Sequence, residues 1–348
     1  MTATGTTSAT GVDPDLTAMM DAVFADYRQN HPPGERVELD AGLWRNLEDL
    51  GLVRLTGAES SGGSGAGWPE AVALLSAAVH HGVRIPLAEH DLLACWLLEA
   101  VGLPVDDGVR TVAVLDPQGR ARAVPWASGA QRIVAVWPTT DGHAVGDLDA
   151  TATALRIIPG ANMIGEPRDA VKAEIAVLEG VPVTAGQLET LALKSALIRA
   201  IQVCAALDRV LAMSIEHTTS RVQFGRSLSK FQAIQNLISD IAAEAALART
   251  ATEAAVTVAI GHDWSSPNLR FLTAVARSCT GHAVSVVVRN AHQVHGAIGT
   301  TREHRLHEFT RPALTWRSEF GSVRSWDEQI TDSALRAGGS GLWALITG

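Results

Sequence analysis

The pattern of apolar and polar positions divides the chain into three zones. In residues 13–107 leucines recur at helical spacing, as at Leu43, Leu47 and Leu50, and this pattern predicts a helical domain. A Gly/Ser-rich loop over residues 58–70 separates two of its predicted helices. Residues 1–12 have no apolar periodicity, and their composition predicts a disordered tail.

The pattern changes in residues 108–185. Short β-branched runs over 111–115, 130–136 and 155–158 are separated by Pro, Gly and Asp, and they predict the strands of a small central β domain. Because no helix-length pattern separates these strands, we expect them to pair antiparallel.

Residues 186–348 return to helical spacing. Three apolar stripes continue over about 25 to 35 residues each, which is longer than usual globular helices and predicts an antiparallel helical bundle. One stripe is formed by Leu197, Ile201, Cys204, Leu207 and Leu211. The predicted fold class is therefore mostly α with a small β domain, in the order helical domain, β domain, helical bundle.

Composition narrows the function classes. The chain has 28 basic and 37 acidic side chains and a net charge of −9, which argues against a general nucleic-acid binder. Its three widely spaced cysteines indicate reduced thiols in a cytoplasmic protein. No stretch has the ~18 uninterrupted apolar residues of a membrane span, and the first residues lack the features of a signal peptide. The sequence predicts a cytoplasmic protein that binds no membrane.

The first candidate cluster is the stretch SRVQFGRSLSKFQ, residues 220–232. Its glycine and serines predict a turn between two long helices. At such a corner Arg221 can present its planar guanidinium to a phosphate, with the ring of Phe224 beside it. The structural alternative is that Gln232 completes a capping box with Ser229 and that Arg221 forms a surface ion pair.

The second candidate cluster is HQVHGAIGTTREH, residues 292–304. Gly296 and Gly299 stand three apart at the end of a predicted helix, where glycines allow a backbone to approach a ligand closely. An ordinary helix terminus is the alternative. The region is rich in histidine but lacks an HExxH pattern or an acidic ligand, so we expect hydrogen-bonded side chains rather than a metal site at His292, His295, His304 and His307.

Together the two clusters resemble the acyl-CoA dehydrogenase family. RVQFG followed by SKFQAIQ resembles that family's R-x-x-F-G…F-Q-x-x-Q corner, and QVHGAIGTTREHRLH resembles its Q-x-x-G-G-x-G segment. The stretches LWRNLEDLGLVRL and GGSGAGWPEAVALL resemble its N-terminal region. The resemblance covers about residues 43–321 and implies FAD as cofactor, an acyl-CoA substrate and electron-transfer flavoprotein or a similar acceptor.

The resemblance also implies roles for individual residues. Arg221 would hold the FAD pyrophosphate and Phe224 would pack on the cofactor. Four further residues would lie along the adenosine-diphosphate side: Gln232, Gln293, Gly296 and Ala297. In the family these elements serve a FAD held mainly by a neighbouring subunit, so the resemblance implies a tetramer, built from identical chains or together with a longer paralogue.

The family's reaction needs a carboxylate base that removes an α-proton while the flavin accepts hydride. That base is usually a Glu before a glycine, beyond the second cluster. Counted from Gln293, the position falls on Phe320, and Glu319 stands one residue early. A second family position, on the helix before the corner, falls at Ser195. Glu319 is therefore the candidate base, and an exposed loop carboxylate is the alternative.

The β zone departs from the family. It lacks the Thr-Glu-Pro-x-x-Gly-Ser-Asp-like stretch that meets the flavin, so the chain keeps motifs for a neighbour's FAD and has lost those for its own. Two interpretations follow. The chain is a FAD-dependent acyl-CoA dehydrogenase for bulky or steroid-derived acyl groups, as a homo-oligomer or half of an α2β2 enzyme. Alternatively it is a non-catalytic subunit that completes the FAD site of a longer catalytic paralogue.

Overall fold

Helices form the N-terminal part of the computed structural model, which describes residues 11–32, 34 and 36–347. Residues 1–10 of the predicted tail lie outside this range. The helical elements are α1 (Pro14–Asn30), α2 (Ala41–Asp49), α3 (Trp68–His81) and a π-helical segment (Ala88–Cys95) that continues as α4 (Trp96–Ala100).

These helices begin and end where the sequence supplies caps. The carboxylate of Asp13 accepts a hydrogen bond from the Asp15 amide at 2.9 Å, and α1 follows it directly. Asp40 starts α2 in the same way, through the amides of Gly42 and Leu43. Gly82 ends α3 at φ +72°, a left-handed conformation that favours glycine.

The middle of the chain forms two small sheets. Their strands are β1 (Arg110–Val114), β2 (Arg120–Pro125), β3 (Arg132–Thr139), β4 (Gly142–Asp149), β5 (Leu155–Ile158), β6 (Arg168–Ala173) and β7 (Val181–Val183). One sheet has the order β1-β3-β4-β7 and the other β2-β6-β5, and apolar side chains of both pack into one cluster.

The expectation of antiparallel pairing is wrong for one pair. Strand β1 runs parallel to β3, with Arg110 opposite Arg132 and Val114 opposite Val136. Between them the chain crosses to the other sheet through β2, and this reversal returns β3 to the direction of β1. The remaining pairs of these two sheets are antiparallel, as predicted.

The C-terminal part contains the predicted long helices. A capping box of Thr184 and Gln187 starts the longest of them, which has 36 residues. The helices are α5 (Ala185–Ser220), α6 (Gln232–Gly261), α7 (Leu269–His295), the short α8 (His307–Trp316) and α9 (Val323–Thr347), which is kinked at Gly338. The predicted fold class, helices with a small sheet region and a C-terminal helical domain, is confirmed.

Two helices would be long and apolar enough to cross a membrane if only length and mean hydropathy were considered. They are α5 and the segment 269–300 that contains α7. The most apolar window of α5 is 83% buried within the fold, and that of the second segment is 50% buried. Their apolar faces pack against other helices, so we interpret both as core helices of a soluble fold.

A buried lysine is enclosed by three tryptophans where the N-terminal helices meet α5. Its Nζ atom lies 4.2 Å from the ring centroid of Trp96, 4.6 Å from that of Trp264 and 5.0 Å from that of Trp68. Burial lowers the pKa of Lys194 to about 7, although the nearby Asp91 carboxylate acts in the opposite direction. The faces of the indole rings also attract the ammonium group, so they offset part of the cost of burying it.

We expect Lys194→Met to raise the free energy of unfolding at pH 7 by about 1–3 kcal/mol, because it removes a buried charge. The unfolded lysine titrates near 10.5 and the folded one near 7. Between these values the unfolded chain binds more protons, so wild-type stability falls as the pH is lowered through this window. Urea unfolding at pH 7 and 9 measures the difference. The exposed Lys172→Met is the control, and an equal pH slope in the wild type and Lys194→Met would contradict the assignment.

Candidate active site and cofactor surface

A mostly apolar cleft of about 420 Å³ lies where the three parts of the chain meet. Strands β1 and β2 form one wall and the first turns of α5 another. The π-helical segment contributes Glu89 and Leu93, and the region between α8 and α9 contributes Phe320. A cavity of this size and composition is typical of small-molecule binding sites.

The family resemblance places the base at one of two sequence positions. The residues at both positions line this cleft. Ser195 reaches it from α5 and Phe320 from the loop before α9. Neither residue carries a carboxylate. The Ser195 hydroxyl donates a hydrogen bond to the Leu191 carbonyl at 2.8 Å, so it is engaged within its own helix. The cleft therefore lacks a base at either expected position.

The surroundings of Glu319 do not support its prediction as the base. Arg168 donates to both carboxylate oxygens of Glu319 at 2.8 Å, and Arg199 donates to Oε2 at 2.8 Å. Burial alone would raise the pKa of Glu319, but the charges of Arg199 and Arg168 outweigh it and hold this pKa at about 2. A general base should have a pKa near the working pH. Glu319 is held instead as a permanently charged partner of two arginines.

The partly buried Glu319 belongs to a series of charges, otherwise buried, that crosses the junction between the three parts of the chain. Arg199 of α5 contacts Glu89 at 2.7 Å on one side and Glu319 on the other. Arg168 of β6 contacts Glu319 and, at 2.9 Å, Glu166. Each guanidinium thus lies between two carboxylates. This alternation offsets the cost of burying the charges and fixes the junction in one arrangement.

Glu89 is the only carboxylate among the residues that line the cleft, and the sequence analysis missed it. Its Oε1 atom accepts a hydrogen bond from Arg199 at 2.7 Å. It stands in the π-helical segment Ala88–Cys95, and π-helical turns often occur at functional sites. Glu89 lies within RIPLAEH, residues 84–90, which resembles the family's N-terminal region. That stretch does not mark Glu89 as a base, and the fold brings it to the cleft.

The first cluster forms the predicted turn between α5 and α6. Helix α5 ends at Ser220, and a hairpin of Val222–Gln223 and Arg226–Ser227 follows. Phe224 stands at its tip with φ +51°, and its side chain is 90% exposed. The Arg221 guanidinium makes no ion pair or hydrogen bond with the residues that the structure describes. Arg221 and Phe224 therefore present a free cation and an aromatic ring at the surface, where another molecule can bind.

The capping-box alternative for this turn is not observed. Helix α6 begins after Phe231, whose side chain provides no cap. The hydroxyl of Ser229 pairs with that of Ser227 at 2.7 Å instead. Gln232 is exposed and donates to the Asn236 side chain at 2.9 Å. Gln232 therefore remains accessible on the first turn of α6.

The second cluster forms the end of α7 and a short 3-10 turn, Gly296–Thr300. Gly296 has φ +62°, and a Cβ added there would meet nothing within 4 Å. Gln293, Gly296 and Ala297 are all exposed. The backbone of this turn is therefore open to close approach by a ligand.

The two clusters lie at the same end of the bundle. The ring of His217, four residues before Arg221, stacks on that of His295 at a centroid distance of 4.6 Å, and Gly296 follows His295 directly. We call the exposed surface of these two clusters the corner surface; its residues are Arg221, Phe224, Gln232, Gln293, Gly296 and Ala297. Its free guanidinium, its exposed ring and its open backbone fit the pyrophosphate and adenosine of FAD.

The corner surface and the cleft are far apart. Ser195 lines the cleft near the start of α5, and Arg221 follows the last residue of the same helix. At 1.5 Å of rise per residue these two positions are separated by about 39 Å, which is more than an extended dinucleotide spans. A dinucleotide that contacts Arg221 therefore does not reach the cleft of the same chain.

Comparison with known proteins agrees with this fold. Residues 187–330 match the acyl-CoA dehydrogenase C-terminal domain. The chain is 26% identical over 284 residues to acyl-CoA dehydrogenase IpdE2 of Mycolicibacterium smegmatis, covering 79% of this chain and 82% of that protein. It is 27% identical over 332 residues to acyl-CoA dehydrogenase FadE27 of Mycobacterium tuberculosis, with coverage of 84% and 87%.

Solved structures show the same fold. A chain of the ChsE4-ChsE5 complex from Mycobacterium tuberculosis superposes with a TM-score of 0.79 at 22% identity, covering 93% of this chain and 98% of that one. A chain of the Tcur3481-Tcur3483 steroid ACAD superposes with a TM-score of 0.81 at 21% identity, with coverage of 94% and 98%. Residues 187–330 thus form an acyl-CoA dehydrogenase C-terminal domain, and the chain as a whole is similar in sequence and in fold to acyl-CoA dehydrogenases.

Proposed function

We propose that this chain is the site-completing subunit of a heteromeric, FAD-dependent acyl-CoA dehydrogenase. Its corner surface would bind the adenosine-diphosphate half of a FAD that a longer paralogue holds. The observation that supports this most strongly is the separation of about 39 Å along α5 between Arg221 and the cleft. The residues that suit a dinucleotide face outward, where another chain can cover them.

Each residue of the corner surface would have a separate task. Arg221 would form charge-assisted hydrogen bonds with pyrophosphate oxygens, because its guanidinium is free and planar. The exposed ring of Phe224 would cover an apolar face of the cofactor. The open backbone at Gly296 would allow close contact with phosphate or ribose. When bound, FAD would supply the hydride acceptor of the dehydrogenation.

The base would come from the partner chain. Phe320 and Ser195 occupy both expected positions in this cleft, and neither can accept an α-proton as a carboxylate does. Glu319, beside Phe320, is held as an anion by two arginines. The cleft within this chain would then have a structural or regulatory role rather than a catalytic one.

The substrate class that we propose is a bulky acyl-CoA thioester, including steroid-derived acyl groups. Similarity to a chain of a steroid acyl-CoA dehydrogenase supports this assignment. Two of the similar structures, ChsE4-ChsE5 and Tcur3481-Tcur3483, are named for pairs of different proteins, which supports a heteromer. We further propose electron-transfer flavoprotein as the acceptor and the cytoplasm as the location.

The proposal predicts a clear difference between the chain alone and the chain with a longer paralogue from the same genome. Alone, it should not reduce an acyl-CoA-coupled dye even with added FAD. Together, the pair should reduce the dye, and Glu319→Gln in this chain should retain the activity of any pair that assembles. Full dye reduction by this chain alone would contradict the site-completing role.

Glu89 favours a second candidate, a self-sufficient dehydrogenase made of identical chains. It brings one carboxylate to the cleft, with Oε1 held by Arg199 at 2.7 Å. In that case the chain alone would reduce the dye, and Glu89→Gln would lower kcat by at least a hundredfold, the lower range for a lost general base. The control is Glu99→Gln, because the Glu99 carboxylate pairs with Arg54 away from the cleft. Equal activity of both variants would exclude Glu89 as the base.

A further inference from the structure

Three histidines from three different segments meet beside the corner surface. His217 lies in the last turn of α5, His295 is the last residue of α7, and His304 belongs to the loop before α8. One ring nitrogen from each lies within 4.8 Å of the others. The ring centroid of His295 is 4.6 Å from that of His217 and 4.7 Å from that of His304. The sequence gives no indication that His217 joins the other two, because it is distant along the chain.

His295 has the arrangement of a metal-binding imidazole. It is 4% exposed, and its Nδ1 atom donates a hydrogen bond to the Ala291 carbonyl at 2.8 Å. Its Nε2 atom therefore carries the lone pair, and this buried atom has no hydrogen-bond partner in the described structure. In metal sites the second ring nitrogen commonly donates to a backbone carbonyl in this way. A buried acceptor without a partner is costly, and a bound cation would remove that cost.

The other two rings can also offer a nitrogen. The ring of His217 forms no hydrogen bond with the described residues, so its lone pair is available. His304 accepts a hydrogen bond from the Leu306 amide at Nδ1, at 3.2 Å, so its Nε2 atom carries the proton when no metal is bound. Coordination through Nε2 moves this proton to Nδ1 and breaks the Leu306 bond, at a cost of about 1 kcal/mol.

We propose that His217, His295 and His304 form a binding site for a divalent first-row transition metal, with Zn²⁺ as the expected ion. Three imidazoles and no carboxylate suit Zn²⁺, Co²⁺ or Ni²⁺ and do not suit Mg²⁺ or Ca²⁺. A fourth position stays open to solvent, because His217 and His304 are only partly buried. The metal joins the ends of α5 and α7 to the loop before α8, and so it stabilises the two segments that form the corner surface.

Metal titration of the FAD-free chain tests this site independently of the proposed enzyme function. The chain is prepared without a histidine tag, treated with EDTA and titrated with Co²⁺. We expect one equivalent to produce a visible ligand-field band, which Zn²⁺ then abolishes. Zn²⁺ should also raise the melting temperature, because it binds only the folded chain. Absence of both the band and the thermal shift would overturn the proposal.

Variants identify the ligands. His217→Ala and His304→Ala should each weaken Co²⁺ binding at least tenfold, and both side chains are partly exposed, so folding should be retained. His307→Ala is the matched control. The Nδ1 atom of His307 donates a hydrogen bond to the His304 carbonyl at 2.9 Å, and this residue lies outside the cluster. Wild-type Co²⁺ affinity in His217→Ala, or an equal loss in His307→Ala, would show that the three histidines are not the ligand set.

Discussion

Replacing Arg199 with methionine is expected to lower the free energy of unfolding by about 3–5 kcal/mol, the usual cost of removing one partner from a buried ion pair. Arg199 lies between Glu89 and Glu319, with distances of 2.7 and 2.8 Å, so the change leaves the buried Glu89 without its ion-pair partner and Glu319 with Arg168 alone. Urea unfolding followed by circular dichroism at pH 7 measures the loss. Arg249→Met is the control, because Arg249 pairs with Asp208 on the surface and should contribute less than about 1 kcal/mol.

The same ion pairs predict an acid dependence of stability. Glu319 has a pKa of about 2 in the folded chain and 4.5 as the ordinary value. Its contribution, about 3 kcal/mol at most, is therefore present above pH 4.5 and is lost as the pH falls towards 2. In Glu319→Gln the stability should fall less steeply over this range than in the wild type. Equal pH slopes of stability in Glu319→Gln and the wild type would show that these charges do not hold the junction together. Equal unfolding free energies for Arg199→Met and Arg249→Met would show the same.

The second large effect is expected at the corner surface. In the complex with the longer paralogue, Arg221→Ala should weaken FAD binding by about 10- to 100-fold, the equivalent of about 1.5–3 kcal/mol for lost charge-assisted hydrogen bonds. Fluorescence titration of the FAD-depleted complex measures the affinity. The stability of the chain should not change, because the Arg221 guanidinium has no partner among the described residues.

The control for Arg221→Ala is another exposed arginine of the bundle. Arg324 lies on α9, and its side chain is 88% exposed and contacts only Glu328 in the described structure. Arg324→Ala should leave FAD affinity unchanged. Phe224→Ser removes the exposed ring and should weaken binding in the same direction as Arg221→Ala. If both corner variants bind FAD as tightly as Arg324→Ala does, the corner surface does not contact the cofactor.

The sequence was most informative where structure is local. Long stripes of apolar residues predict the bundle helices, since one helical face needs only periodic spacing in the chain. Caps such as Asp40 and the box at Thr184 act within three residues, so they too are visible in the sequence. The motif around Arg221 is also contiguous, and its residues reach one exposed turn together.

The sequence was least informative where the interacting residues are far apart along the chain. Glu319 looks like a loop carboxylate in the sequence, and its counterions stand 120 and 151 residues earlier, at Arg199 and Arg168. The charges of these two arginines keep Glu319 ionised, so it is not suited to the role of general base that its position in the sequence suggests. The parallel pair β1 and β3 escaped prediction for a related reason, since their pairing depends on the path of β2 through another sheet. The contact between His217 and His295 likewise depends on how α5 packs beside α7.

The central claim is that this chain binds FAD only as half of a site shared with a different chain. The most direct measurement is the number of FAD molecules per chain, from flavin absorbance and native mass spectrometry, for the purified chain and for its complex with the longer paralogue. We expect no retained FAD on the chain alone and one FAD for each pair of unlike chains. A homo-oligomer that retains one FAD per chain would contradict it.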